Sequence, residues 1–316
     1  MHLHSKLVLV ATLALSGCTT PNGTGSRPAS PRAIENNRLQ PVSTTLTEPV
    51  FGKDDQLQSL ELSRAGKLLI TGVKRFGKPN TGIIAVWDVA TKKLLRSWPL
   101  DISVADLALS PEDELLVTAT NGTEGARFRM WSLPAGKLLH TWPADMNPRV
   151  EFSPDGKVLA TGDSSSLELR GEAEWQVLRK VPDDRPFFTT ALAFSPDGNR
   201  LACGRNDVSQ VVKVVDAHTG RQLWTGSAGE CTDLDFSPDG KLLATISDSD
   251  LFVFNAVNGK VVTRVDLKDE GNGAVAFSPD GKTLACYVTT NEGKSHVVQL
   301  RETRTWAIKR TIRGGG

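Results

Sequence analysis

Two groups of side chains in this 316-residue sequence have the types and spacing to do chemistry. The first is a series of acids at one phase. Glu61, Glu151 and Asp235 each stand two residues before a recurring serine, and Ala108, Ala193 and Ala276 take the alternate places in the series. Asp106 and Asp233 lie close by. Carboxylates brought to one point suit calcium or magnesium, hard cations that take oxygen ligands. The plainer use of such acids is pairing with Arg149 and water, or packing between neighbouring units. The second group is Lys74, Arg75, Phe76 and Lys78, between Gly72 and Gly82. An aromatic flanked by cations suits an anchor for a protein partner; its plainer form is an extended hairpin with Phe76 folded back.

Other chemistries find no assembled motif. Zinc-protease, nucleophile-elbow and Cys-x-x-Cys patterns are missing from the sequence. Gly281-Lys282-Thr283 resembles the end of a phosphate-binding loop, but the glycine that motif needs falls at Ala276. His140, His218 and His296 stand in separate units, so a histidine-based active site is not expected. Beyond Cys18 there are Cys203, Cys231 and Cys286, an odd number that leaves at least one thiol unpaired within a monomer. Cys203 and Cys286 hold equivalent positions two units apart, which argues against a bond between them and for small buried side chains. Lys plus Arg number 37 against 36 Asp plus Glu. That balance disfavours a general binder of nucleic acid or anionic surfaces.

The elements that must position these residues repeat. FSPDGK occurs at 152–157, 236–241 and 277–282, and FSPDGN at 194–199. Weaker echoes at 109–113 and 62–67 complete a series of serines at 63, 110, 153, 195, 237 and 278. A period of 41 to 47 residues marks a repeat architecture. Serine, proline and glycine fall in the order of a type I turn, with alternating apolar residues before it and a returning apolar run after it. Each unit therefore opens with an antiparallel hairpin. Eight residues past each serine stand Thr71, Thr118, Thr161, Cys203, Thr245 and Cys286, small side chains that predict one equivalent packed site per unit. A third strand and a glycine turn follow, as at Val86-Trp87-Asp88 and Val214-Val215-Asp216. The predicted fourth strands include 94–98, 138–142, 222–224 and 306–312. Four short strands per unit around a ring describe an all-β protein, a β-propeller. Six units predict six blades; seven is the alternative if the N-terminal segment contributes more than one strand.

The hairpins and the Trp87-Asp88 pair resemble the WD-repeat family in a degenerate bacterial form, over nearly all of 42–316. The Gly-His dipeptide typical of that family is absent, so its histidine-based hydrogen-bond tetrad is not carried over. The resemblance implies ring closure by pairing the last strand, 306–312, with the first unit; the segment 44–50 could supply that outer strand instead.

The first residues are not part of the fold. Lys6 and the apolar run Leu7–Leu15, too short to span a bilayer, match a signal peptide over 1–17. Leu15-Ser16-Gly17-Cys18 resembles the lipobox of bacterial lipoproteins, which implies cleavage before Cys18 and lipid on that residue. Thr19, where inner-membrane lipoproteins commonly carry aspartate, implies the outer membrane, periplasm-facing. Residues 18–41 are rich in Pro, Ser, Thr, Gly and Asn and read as a flexible tether.

In the neighbouring units six, one and two, the stretch joining second and third strands is longest, with spans of 15, 16 and 13 residues against 9 to 12 elsewhere. Insertions on one face commonly mark a repeat protein's binding side. The expected function is a non-catalytic, lipid-anchored propeller that docks envelope proteins. It would use no cofactor, bind no nucleic acid and touch the membrane only through its lipid. The alternatives are a sugar- or small-ligand-binding or hydrolytic propeller with a site assembled from several blades, and a mainly structural envelope component.

Overall fold

The computed structural model describes residues 55–313, apart from 76–80, 122–124, 134, 183–187, 207–210, 248, 268–272 and 291–294. The predicted signal peptide, Cys18, the tether at 18–41 and the start of the body lie outside the described residues, as do Phe76 and Lys78.

Twenty-four strands form among the described residues. The first blade comprises β1 (Gln56–Leu62), β2 (Leu68–Arg75), β3 (Thr81–Asp88) and β4 (Lys93–Leu100), and the second β5 (Ser103–Leu109), β6 (Leu115–Asn121), β7 (Ala126–Ser132) and β8 (Lys137–Ala144). The third is β9 (Arg149–Phe152), β10 (Val158–Gly162), β11 (Leu167–Gly171) and β12 (Val177–Lys180), and the fourth β13 (Phe188–Phe194), β14 (Arg200–Asn206), β15 (Val211–Asp216) and β16 (Gln222–Ser227). The fifth is β17 (Asp233–Phe236), β18 (Leu242–Ile246), β19 (Asp250–Asn255) and β20 (Val261–Asp266), and the sixth β21 (Ala274–Phe277), β22 (Thr283–Thr290), β23 (Ser295–Glu302) and β24 (Ile308–Arg313). Each set of four is hydrogen-bonded in chain order as an antiparallel meander, giving a six-bladed, four-stranded antiparallel β-propeller.

The hairpin turns are built around the serine. In blade five, Gly240 N–H donates to Ser237 O at 2.7 Å, while Ser237 Oγ accepts from Leu242 N–H at 2.9 Å and donates to Asp239 Oδ1 at 2.7 Å. Asp239 Oδ1 in turn accepts from Lys241 N–H at 3.1 Å. The same bonds recur around Ser153 and Ser278. Gly66, Gly156, Gly198, Gly240 and Gly281 all have φ between 67° and 73°, and Asp113 stands at 61° in the equivalent place of blade two. That region costs an L side chain energy, and aspartate tolerates it better than most.

Eight residues beyond the serine lies the predicted packed site, a polar bond inside the blade. Trp87 Nε1–H donates to Thr71 Oγ1 and Trp131 Nε1–H to Thr118 Oγ1, both at 3.1 Å. Arg170 Nε donates to Thr161 Oγ1 at 3.4 Å. In blade five the donor position is Phe254, and Thr245 Oγ1 is accordingly left buried without a partner. A threonine bonded by an indole thus joins the second and third strands in blades one and two.

The sheets cover one another's faces. Ile84 and Val86 of blade one meet Leu107 and Trp131 of blade two. Val117 and Met130 meet Val150 and Leu159, and Leu169 meets Phe194 and Val215. Val214 and Trp224 meet Phe236 and Phe254, and Leu251 and Val253 meet Phe277 and Leu284.

Two expectations need correction. Among the described residues the last strand does not pair with the first blade: β24 bonds β23, and the first sheet is built of β1 to β4; the alternative outer strand at 44–50 lies outside the described residues. Trp306 lies in the preceding turn at φ 61°, so the strand begins at Ile308 rather than at 306.

Gly240→Val should lower unfolding free energy by about 1–2 kcal/mol. The new side chain would be held at φ 67° with its Cβ 3.3 Å from Arg200 Nη2. Urea denaturation checks this, and an unchanged midpoint would contradict the turn geometry. A second expectation concerns acid. Bonds from Ser153, Ser237 and Ser278 hold the Asp155, Asp239 and Asp280 carboxyls below their ordinary value of 3.8. A carboxyl lowered in the folded state stabilises above its unfolded value, and that contribution is lost as pH falls through the lowered one. Melting temperature should fall as pH drops below about 4, and converting the three aspartates to asparagine should shallow that fall.

Candidate functional site

The paired ends of the second and third strands lie at the end of each blade opposite the serine turns. Their anchoring strands differ in length: β2, β3, β22 and β23 are eight residues each, whereas β10, β11 and β18 are five. The hairpins of blades six and one thus have longer paired arms than those of blades three and five. Lys74 sits at the end of β2, opposite Gly82 on one side and Gln56 on the other. Arg75 lies opposite Thr81, and its Nε is 3.3 Å from Asp55 Oδ2. Both cations are half-buried. Two members of the predicted anchor thus stand at the end of β2, and Arg75 is committed in part to an ion pair.

The acids of the first strands do not meet at one point. Glu151 lines the central channel with Asp106, Arg149 and Asp233, around a cavity of about 60 Å³. Glu61 instead lines a depression among the serine turns, beside Arg64, Pro111, Pro154 and Pro196. Asp235 Oδ2 accepts from Phe277 N–H at 2.7 Å. Within the channel Asp106 receives Ser59 Oγ–H at 3.2 Å and Val150 N–H at 3.2 Å, so one carboxylate joins three successive blades. Asp233 Oδ2 accepts from Val275 N–H at 3.0 Å, joining blades five and six. Arg149 donates to backbone, Thr190 O at 2.8 Å and Pro148 O at 3.0 Å, so its predicted role as a counterion is replaced by one as a carbonyl clamp. Thr232 Oγ1 lies 3.2 Å from Ile246 O and 3.0 Å from Gly273 O. Among the described residues no group of three or more His, Cys, Asp or Glu is placed to hold a metal ion.

Asp106 and Asp233 were visible in the sequence as neighbouring acids, but their role as joints to the backbone of the next blade was not. Their signal was present, since Asp106 and Asp233 each stand four residues before the turn serine. What it could not convey is that this phase aims the carboxylate at the backbone of the next blade.

The remaining candidates are structural. Cys203, Cys231 and Cys286 are buried free thiols. Burial pushes Cys286 up to about 12, while burial and the nearby Asp233 raise Cys231, so neither is a thiolate at neutral pH. His218 Nε2 is 3.0 Å from Asn199 Oδ1 at a turn, and His140 stacks on Trp142 with centroids 5.6 Å apart. Gly281-Lys282-Thr283 forms the sixth serine turn, with Gly281 N–H on Ser278 O.

With this geometry in place, comparison with known proteins is informative. The family model for the WD domain, G-beta repeat, matches residues 209–255, which span β15 to β19. The seven-bladed beta-propeller protein Rv1057 of Mycobacterium tuberculosis is 56% identical over 43 residues, 14% of this chain and 11% of that protein. The match thus spans about a tenth of the curated relative's length. The crystal structure of the Myceliophteria_thermophila Cps50 (Swd1) beta-propeller domain superposes with a TM-score of 0.67 at 18% identity, over 82% of this chain and 86% of that one. The fold is a β-propeller, and the WD40 repeat model matches one stretch of it, residues 209–255.

Asp233→Ala strands the Val275 N–H and should cost about 1–3 kcal/mol in urea unfolding. Chelator should leave the melting temperature of the wild-type protein unchanged. A chelator-induced fall would instead assign the channel acids to a cation.

Proposed function

We propose that this chain is a non-catalytic, lipid-anchored β-propeller that serves as a protein-interaction platform in the bacterial cell envelope. The observation that carries the reading is the asymmetric face. The hairpin strands β2–β3 of blade one and β22–β23 of blade six are eight residues each, against five for β10, β11 and β18 of the middle blades. A longer hairpin on one sector of a ring gives a partner an edge to grip, and the stretch 74–78 carries three cations and an aromatic in sequence. Meanwhile the channel acids Asp106 and Asp233, which might have done chemistry, are engaged with backbone N–H groups.

The envelope location and the lipid rest on Leu15-Ser16-Gly17-Cys18 and on the polar tether that follows. A tether of such composition would hold the ring away from the bilayer while keeping it at high local concentration there. Thr19 favours the outer membrane, with the ring facing the periplasm.

The test is a crosslinked pull-down of the full chain from envelope membranes, beside Cys18→Ala, Phe76→Ala and Lys74→Glu. Specific protein partners should be retained by the wild type and lost with Cys18→Ala. Phe76→Ala and Lys74→Glu should lower capture several-fold while leaving the melting temperature within about 2 °C, as surface substitutions do. Retention of no protein by a membrane-bound chain would overturn the platform reading in favour of a sugar- or small-ligand-binding propeller, for which thermal shift is the assay.

A further inference from the structure

The outer strand of each blade is an edge, and one of the six is unlike the rest. The fourth strand bonds the third on one side, and among the described residues no strand lies on the other. Along β24, Lys309, Arg310 and Arg313 supply half the residues, and there is no acid. No other outer strand carries more than two cations: β16 has no charged residue, and β20 sets Asp266 beside Arg264. Arg304, in the turn that leads into β24, extends the group. The even charge balance of the whole chain conceals this excess, since 301–313 holds five cations and one acid.

These cations are also uncommitted. Elsewhere on the rim Arg264 Nε lies 2.7 Å from Asp250 Oδ1, and Lys180 Nζ lies 3.0 Å from Glu168 Oε1. Among the described residues, Arg304, Lys309, Arg310 and Arg313 form no ion pair, and β24 is exposed except at Ile312. Charge on an edge strand can simply deter strands from pairing. A general deterrent would recur around the rim, yet β16 does without one.

The backbone decides what the surplus fits. From Arg310 to Arg313 the strand runs in unbroken register opposite Leu300 to Val297. Ile312 packs on the cluster of Tyr287, Val298 and Leu300, which fixes how the strand faces. Side chains alternate along a strand, so Arg310 and Arg313, three places apart, stand on opposite faces of the sheet. A flat anionic surface laid on one face reaches one of them. An extended chain running alongside alternates in the same way and reaches both.

We propose that β24 receives an extended acidic segment of a partner protein, which adds to blade six as a fifth strand. Main-chain bonds along the open edge supply affinity, and carboxylates meeting Arg310 and Arg313 from the two faces supply selectivity. Lys309, at the register shift just before this run, adds a third positive charge. This assigns a partner chemistry to the interaction platform proposed above and rests on that reading.

The test titrates the full chain with two labelled peptides, followed by fluorescence anisotropy. The first is three repeats of Glu-Val-Thr, whose acids fall alternately on the two faces of a strand. The second is the same peptide N-methylated at each valine, which keeps the charge and removes ladder donors. The wild type should bind the first peptide and bind the second about tenfold more weakly. Arg310→Glu with Arg313→Glu should weaken the first by about tenfold while leaving the melting temperature within about 2 °C. Should that variant fail to fold, Lys309→Gln and the paired peptides on the wild type remain decisive. Equal affinity for both peptides, no loss in the variants, or no binding of the first peptide would overturn the inference. Binding of phosphatidylglycerol vesicles in place of the peptide would also overturn it, giving the edge to a membrane. In the envelope pull-down, partners retained equally by the double variant would leave the platform standing without this edge. Peptide binding by a wild type that captures no envelope protein would do the reverse.

Discussion

A four-stranded sheet with two apolar faces cannot keep either face dry by itself, and every other feature of this molecule follows from that constraint. Burying a side chain such as Phe254, Leu243 or Met130 stabilises by about 1.5–3 kcal/mol each, but only when a neighbouring sheet supplies the opposite wall. Each blade therefore depends on two neighbours, and the chain repeats its unit until a ring is reached.

The polar groups obey the same logic. Buried carboxylates and hydroxyls are expensive unless bonded, and here they are spent on joints. Each turn serine collects backbone N–H groups from its own hairpin, Asp106 ties blades one, two and three, and Asp233 and Asp235 bind the next blade's first strand. Arg200 does the same on the turn side, donating to Gly240 O at 3.0 Å while lying 5.7 Å from the Phe236 ring centroid. Such bonds add modest net energy, but they make slipping one blade against another costly. The result is a stiff body on which only the connections differ.

The repeated unit was legible in the residues themselves. SPDG with alternating apolar flanks encodes a hairpin through local sterics and hydrogen bonding, so its position and register could be read before any tertiary contact was known. The threonine eight residues on was legible as a packed site, because its partner Trp87 or Trp131 lies in the same blade. The outer strands were less so. β12 (Val177–Lys180) and β20 (Val261–Asp266) are exposed along most of their length, and a strand without a buried face carries a weak apolar rhythm.

What only the tertiary structure decided were the relations between units. Glu61, Glu151 and Asp235 share one phase, yet they end in different surroundings because each carboxylate is steered by its own neighbours around the ring. Arg75 looked like part of an exposed anchor, but Asp55, twenty residues earlier, claims it. Local sequence specifies short-range bonds completely, whereas the fate of a charge or an apolar face depends on which distant surface arrives beside it.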